Sequence, residues 1–382
     1  MKASFERLVV LFIVVGVAFI VLDLGNTFVR SSVVASTPIP YLRFFPFIDR
    51  QPASWVGADM AAYSPDYVDL LAGAGAKWVR GYTLHWDELE ATQGTINWSA
   101  LVNVDSQLQV FREHRLSTIV LITGTPTWAQ HYTGADYPPC GPVELDHLVD
   151  LVDFFKQIVD HYSRSPYWVS YFEYINEPDP LVSDRPSFVS GCWGDHPDLY
   201  ATAITSITQA VHAAYPSVQI VMGGLMADCD ATLTCSGTPS MNFLPQVLAH
   251  GAQFDAVNIH SYDWYSPTID GYWNKNWKTV NVPALEAKLD WLEGLLSEYR
   301  ISPQIFNSEV ALQCLNPSGC GPAFEIKKGE YLSTVFQIGF EHHLTGQLWY
   351  GMKNDWKFSD LFQNGTTPNP AWYTLVDFLV EH

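Results

Sequence analysis

From residue 55 onward, short apolar runs alternate with longer stretches in which apolar residues recur every three or four positions. Runs of the first kind read as strands, those of the second as amphipathic helices. The short runs fall at 55–61, 77–83, 117–123, 168–175, 218–223, 254–260, 303–309 and 346–352. The third, Thr-Ile-Val-Leu-Ile bounded by Gly124, is apolar throughout, as expected of a strand covered on both faces. Helices are predicted at 65–74, where Pro65 follows the N-cap Ser64, and at 99–114, 143–163, 199–214, 284–299 and 324–342, with a last one after Pro370. The segment 143–163 places Leu148, Leu151, Val152, Phe155 and Val159 on one face. Eight strand-like runs, seven of them followed by a predicted helix, predict a single-domain α/β protein, a (β/α)₈ barrel over 55–382.

In such a barrel the C-terminal tips of the strands carry the chemistry, and several tips here end in groups suited to it. The fourth strand runs into Asn176-Glu177-Pro178, and Pro178, with no N–H to donate, ends it. The seventh ends in Glu309. Two carboxyls facing one cavity are what glycosidic cleavage needs: one protonates the departing oxygen, and the other attacks the anomeric carbon or activates water. Arg80, ending the second strand, is placed to hold a carboxylate ionised through a charge-assisted hydrogen bond. Asn176 can bind a sugar hydroxyl next to the reacting carbon. His260 and Tyr262 have the same parity on the sixth strand and so face the same side. Glu173 lies four residues deeper than Glu177 and reads as a structural acid inside the barrel.

These tips, in register, resemble the clan A glycoside hydrolases, in particular the groups around families 5 and 39, over about residues 55–372. The resemblance implies that Glu177 is the general acid/base and Glu309 the nucleophile of a retaining hydrolase. It also implies that His260 and Tyr262 shape the site, with Tyr262 bonding the nucleophile, and that Trp349 on the eighth strand stacks on sugar. Trp86, Leu89, Glu90, Gly94 and Trp98 match a pattern seen in family 39-like proteins, where Glu90 is expected to shape a loop. The histidine that family 5 carries near the end of strand three is missing, the nearest being His131. A retaining pair should hold its carboxyls about 5–5.5 Å apart. The spacing of 177 and 309 exceeds that of a minimal barrel. Part of the excess falls in 262–282, dense in Tyr, Trp and Pro, which is expected to form one wall of a sugar cleft.

Composition narrows the substrate. The formal net charge is −20, which repels phosphate backbones and anionic lipid and leaves no place for nucleic acid. The 14 Trp, 19 Tyr and 21 Phe exceed what a core alone needs and offer flat platforms for sugar rings. Lys2 and Arg7 precede an apolar run at 8–22 that is short for a membrane span and suits a signal peptide. Residues 1–35 are read as that signal or as an N-terminal anchor, and 36–54 as a lead-in. Membrane contact is expected only through an uncleaved first segment, and either form places the domain outside the cytoplasm. Six cysteines agree with an oxidising compartment, and the pairs expected are Cys140–Cys192, Cys229–Cys235 and Cys314–Cys320. The expected protein is a monomer acting on an oligo- or polysaccharide without metal or cofactor. Transglycosylation on the same site and a non-catalytic glycan-binding barrel are the alternatives.

Overall fold

The computed structural model describes residues 55–60, 62–132, 139–181, 191–228, 241–353, 356–363 and 365–382. The N-terminal segment and Cys229–Cys235 lie outside the described residues. Strands β1 (Val56–Asp59), β2 (Trp78–His85), β3 (Ser117–Thr123), β4 (Tyr171–Tyr174), β5 (Gln219–Met222) and β6 (Ala256–Ser266) follow one another in the chain. After a hairpin of β7 (Gly271–Asn274) and β8 (Thr279–Val280) come β9 (Gln304–Gln313) and β10 (Gly346–Trp349). All neighbours in the sequence β5-β4-β3-β2-β1-β10-β9-β6 are parallel, and β5 pairs with β6 through Val221 and Ala256, which closes the ring. The (β/α)₈ barrel expected from the periodicity is the fold found.

The helices are amphipathic and cover the outside of the ring. They are α1 (Pro65–Gly73), α2 (Trp86–Leu89), α3 (Val102–Glu113), α4 (Leu148–Tyr162), α5 (Pro197–Ala214), α6 (Phe243–Ala249), α7 (Ala284–Tyr299), α8 (Pro322–Glu341) and α9 (Pro370–Glu381). In α4, Leu151, Phe154, Phe155, Ile158, Val159 and Tyr162 are buried, the three-and-four spacing of one apolar stripe. The short α6 was not expected, because its seven residues are too few to show a period. Among the described residues no helix is long and apolar enough to cross a membrane.

Inside the ring the side chains stack in layers. The floor is apolar: Trp78, Ile119, Tyr171, Val221, Ala256, Phe306 and Leu348 pack together, with Trp78 edge-on to Tyr171 and Phe306 at centroid distances of 4.9 and 5.0 Å. One step up, toward the C-terminal rim, the layer turns polar with Arg80, Glu173, Asn258 and Ser308. Strands six and seven of the barrel run further than expected. β6 and β9 pair from Ala256–Gln304 to Trp264–Gln313 with one register shift between Ile259 and His260, so His260 and Glu309 sit mid-strand at the rim, and the ladder continues above them. The extension is stabilised by β7, which pairs antiparallel with the upper part of β6.

Two disulfides are formed as expected. Cys140–Cys192 ties the loop after β3 to the loop after β4, and Cys314–Cys320 closes the loop after β9. Both agree with an oxidising compartment.

Candidate active site

The site is built from the strand ends inward. Arg80 is buried, and its guanidinium divides its donors among three partners. Nε and Nη2 donate to the two oxygens of Glu173 at 2.8 and 3.0 Å, and Nη2 also donates to Asn176 Oδ1 at 2.7 Å. Nη1 donates to Glu309 Oε1 and lies 3.8 Å from Asp59. Such a planar fork matches carboxylates on two sides, which a lysine could not do. Burial pulls the Arg80 pKa down, but the charges of Glu173, Glu309 and Asp59 outweigh it and the net direction is up. Glu173 is fully buried and accepts further bonds from Gly224 N (3.0 Å) and Asn258 Nδ2 (3.1 Å), the structural role expected of it. A Cβ on Gly224 would stand 2.0 Å from His260 Nε2, so this position must be glycine for the imidazole to fit.

Glu309 owes its direction to a bulge. Asn307 is paired with Ile259 and Glu309 with His260, so Ser308 is an extra residue in β9, and the alternation resets by one. Ser308 and Glu309 therefore both reach the interior. Glu309 Oε2 accepts from the Tyr262 hydroxyl, whose pKa is raised by burial and then by the Glu309 charge, so it stays a donor.

Glu177 stands opposite. At the end of β4 the backbone enters the left-handed region at Ile175 (φ 64°) and again at Glu177 (φ 45°). A β-branched residue there is strained, and such strain gathers at functional tips. Glu177 Oε1 lies 3.0 Å from His260 Nδ1, and His260 Nε2 lies 3.1 Å from Ser308 Oγ. Ser308 Oγ in turn accepts from Asn258 Nδ2 at 2.7 Å. A consistent relay follows: Asn258 donates to Ser308, Ser308 to His260 Nε2, and His260 Nδ1–H to Glu177. Burial lowers the His260 pKa, but Glu309 and the bond to Glu177 raise it more, so the net shift is upward. In this relay the neutral ring carries its proton on Nδ1 toward Glu177; the charged ring adds a proton on Nε2, which then donates to Ser308 Oγ. Oxygens of Glu177 and Glu309 and a ring nitrogen of His260 all lie within 4.8 Å of one another.

The structure brings Arg80, Asn176, Glu177, His260, Tyr262 and Glu309 together. Trp349 is not among them. It is fully buried, donates Nε1–H to Ser359 O at 2.8 Å and packs 6.3 Å from Tyr331 of α8, on the helix-facing side of β10. The alternation of β10 turns Leu348 inward, and the next inward ring is Tyr350. Tyr350, Trp356 and Tyr262 form an aromatic corner beside Glu309, with centroids 5.1–5.9 Å apart. Counting inward positions back from the floor residue Leu348 would have found Tyr350. Asn258 shares parity with His260 and Tyr262, and Ser308 with the floor residue Phe306, so both were findable; the bulge that turns Glu309 inward beside Ser308 leaves no trace in the sequence. Glu90 shapes a loop, as expected, accepting from Trp86 Nε1 (2.8 Å) and Gly94 N (2.6 Å).

Two further buried groups brace the rim. Lys288 of α7 donates to the carbonyls of His260 (2.8 Å) and Met226 and to Asp228 (3.0 Å), fixing β6 at the histidine. Asp179 accepts from the backbone N–H of Met226 (3.1 Å) and Ala227 (2.9 Å), tying the loop after β4 to that after β5. Burial lifts its pKa to about 7, against the pull of those two donors and with help from Glu177. A carboxyl raised on folding stabilises the fold while protonated. The contribution is full below the unfolded value of about 3.9 and is lost as pH rises toward about 7. The melting temperature of D179N minus that of the parent is therefore expected to climb from about pH 4 to about pH 7 and level off above. A difference that stays flat across this range would mean that Asp179 is ionised throughout.

No family model matches the chain, and no curated protein sequence does. Solved structures are similar in fold. A family 39 glycoside hydrolase from Bacteroides cellulosilyticus WH2 superposes with a TM-score of 0.61 at 16% identity, over 87% of this chain and 64% of that one. The chain thus spans somewhat under two thirds of that hydrolase. A glucosidase from Croceicoccus marinus gives 0.60 at 13% identity, over 86% and 68%. Thermotoga maritima Cel5A, solved with mannotriose, gives 0.54 at 14%, over 85% and 97%. At these identities the likeness is one of fold.

Proposed function

We propose that the protein is a retaining glycoside hydrolase that acts outside the cytoplasm on an oligo- or polysaccharide, with Glu309 as nucleophile and Glu177 as general acid/base. The observation that carries this reading is the pairing of the two carboxyls, with oxygens within 4.8 Å of each other, at the C-terminal mouth of the barrel. Facing oxygens this close favour a retaining pair, whose carboxyl groups stand about 5–5.5 Å apart, over an inverting pair, whose groups stand about 6.5–9.5 Å apart to admit a water.

The surroundings divide the roles. Glu309 accepts from Arg80 at one oxygen and from Tyr262 at the other, which fixes its carboxyl in the mouth of the barrel as a nucleophile requires. Glu177 accepts from His260 at Oε1, a bond that orients it as the acid that delivers a proton to the leaving oxygen. In the first step Glu309 bonds to the anomeric carbon as the glycosidic C–O bond breaks and the Glu177 proton passes to the departing oxygen. In the second, Glu177, now ionised, takes a proton from water, whose oxygen displaces Glu309. Asn176 has its amide oxygen engaged by Arg80, so what it offers a sugar hydroxyl is its Nδ2 donors. The two disulfides support action in an oxidising compartment.

The test is the anomer formed first. NMR of a hydrolysed glycoside, read before mutarotation, is expected to show the substrate's own configuration. An inverted first product would remove the double displacement while leaving the barrel in place.

A further inference from the structure

The face of β6 that carries His260 and Tyr262 does not end at the rim. Trp264 has the same parity and is half-buried, as Tyr262 and Ser266 are, whereas Asp263 and Tyr265 between them are buried. Those two point to the helices: Asp263 accepts from Tyr331 at 2.9 Å, and Tyr265 packs 5.3 Å from Phe324. Across the hairpin Trp273 is the direct partner of Trp264, the ring centroids 5.5 Å apart at an interplanar angle of 46°. Its neighbour Tyr272 packs on Tyr331 at 4.9 Å, so Trp273 faces the opposite way, with Trp264. The back of the hairpin is thus anchored in the core, and its front bears two half-exposed indoles in line with the acid pair. At about 3.3 Å per residue, Trp264 stands roughly 13 Å along the strand from His260, farther than a single sugar ring reaches.

We propose that Trp264 and Trp273 form a distal platform that stacks on a ring of a neutral glycan chain running from the acid pair along β6, so that the substrate is a chain and not a single-sugar glycoside. The inference rests on the glycosidase reading and adds the direction and length of the bound chain. Indole faces suit the apolar faces of sugars, the strand face is continuous with the acid pair, and the net charge of −20 disfavours an anionic polymer.

The experiment compares parent, Trp264→Ala, Trp273→Ala, Trp264→Phe and Trp273→Phe on cello-, laminari-, manno- and xylohexaose and on the matching p-nitrophenyl monoglycosides, with size-exclusion chromatography alongside. In the alanine variants the ratio of kcat/KM for the cleaved hexasaccharide to that for the aryl glycoside is expected to fall about tenfold or more, mainly through KM. The phenylalanine variants, which keep a ring, should lose about twofold at most. An unchanged ratio, cleavage confined to aryl glycosides, or a change of oligomeric state in place of a change of ratio would overturn the platform and leave the acid pair standing. A parent inactive on every glycan would instead remove the underlying reading, and the platform with it.

Discussion

Glu309→Ala is expected to lower turnover by on the order of 10⁴–10⁶-fold, the scale of losing a covalent nucleophile, without loss of the fold. Glu309 makes its bonds to Arg80 and Tyr262 at the rim, above the apolar floor, and alanine there leaves a gap open to the mouth. Azide added to this variant should restore turnover with an activated aryl glycoside, because a small anion fits where the carboxylate stood. The product should then be a glycosyl azide of inverted configuration, since only one displacement remains. Turnover of Glu309→Ala within about tenfold of the parent would contradict the assignment. Loss without azide rescue, together with a folded protein by circular dichroism, would leave Glu309 essential but place the attack elsewhere.

Arg80→Met is expected to cost about 3–5 kcal/mol of stability, because it strands Glu173 in the barrel without its cation. Glu173 is fully buried, and two of its partners are Arg80 nitrogens at 2.8 and 3.0 Å. Arg80→Lys should recover part of this, since an ammonium keeps the charge but cannot serve Glu173, Asn176 and Glu309 at once. The double variant Arg80→Met with Glu173→Gln separates stability from catalysis. The amide oxygen that Glu173→Gln introduces can still accept from Gly224 and Asn258, so denaturant unfolding should show much of the loss restored. Activity should stay low, because Glu309 has still lost its Arg80 donor. Recovery of activity along with stability would mean that Arg80 acts only as ballast for Glu173.

The ring of strands and its direction could be read from the chain because each buried strand is a short apolar run and each covering helix a periodic one. Glu177 was legible for a local reason: Pro178 marks where its strand must stop. Glu309 and Arg80 were legible by position alone. Trp349 was misplaced because a strand-end tryptophan looks the same from either side, and only the inward Leu348 fixes which face it takes. The upward extension of β6 and β9 was missed since residues 261–266 and 310–313 continue an apolar pattern past polar site residues, and a polar residue in a strand reads as an end. Lys288 was hidden by its setting. It lies on the apolar face of α7 among Leu285, Leu289 and Leu292, and only the carbonyls of His260 and Met226 and the carboxylate of Asp228 explain it.

The extra residue in β9 ties the two acids to one short piece of chain. Glu309 is attached to it covalently, and Glu177 is reached from its neighbour Ser308 through His260. In a barrel without this insertion, the gap between acids on strands so far apart around the ring would follow every change in its circumference. Here the dipeptide Ser308-Glu309 bears one acid directly and meets the other through a single imidazole, so the same short piece of chain that aims Glu309 also orients Glu177. The relative placement of the two carboxyls thus depends on a dipeptide and one imidazole as well as on the ring that carries them.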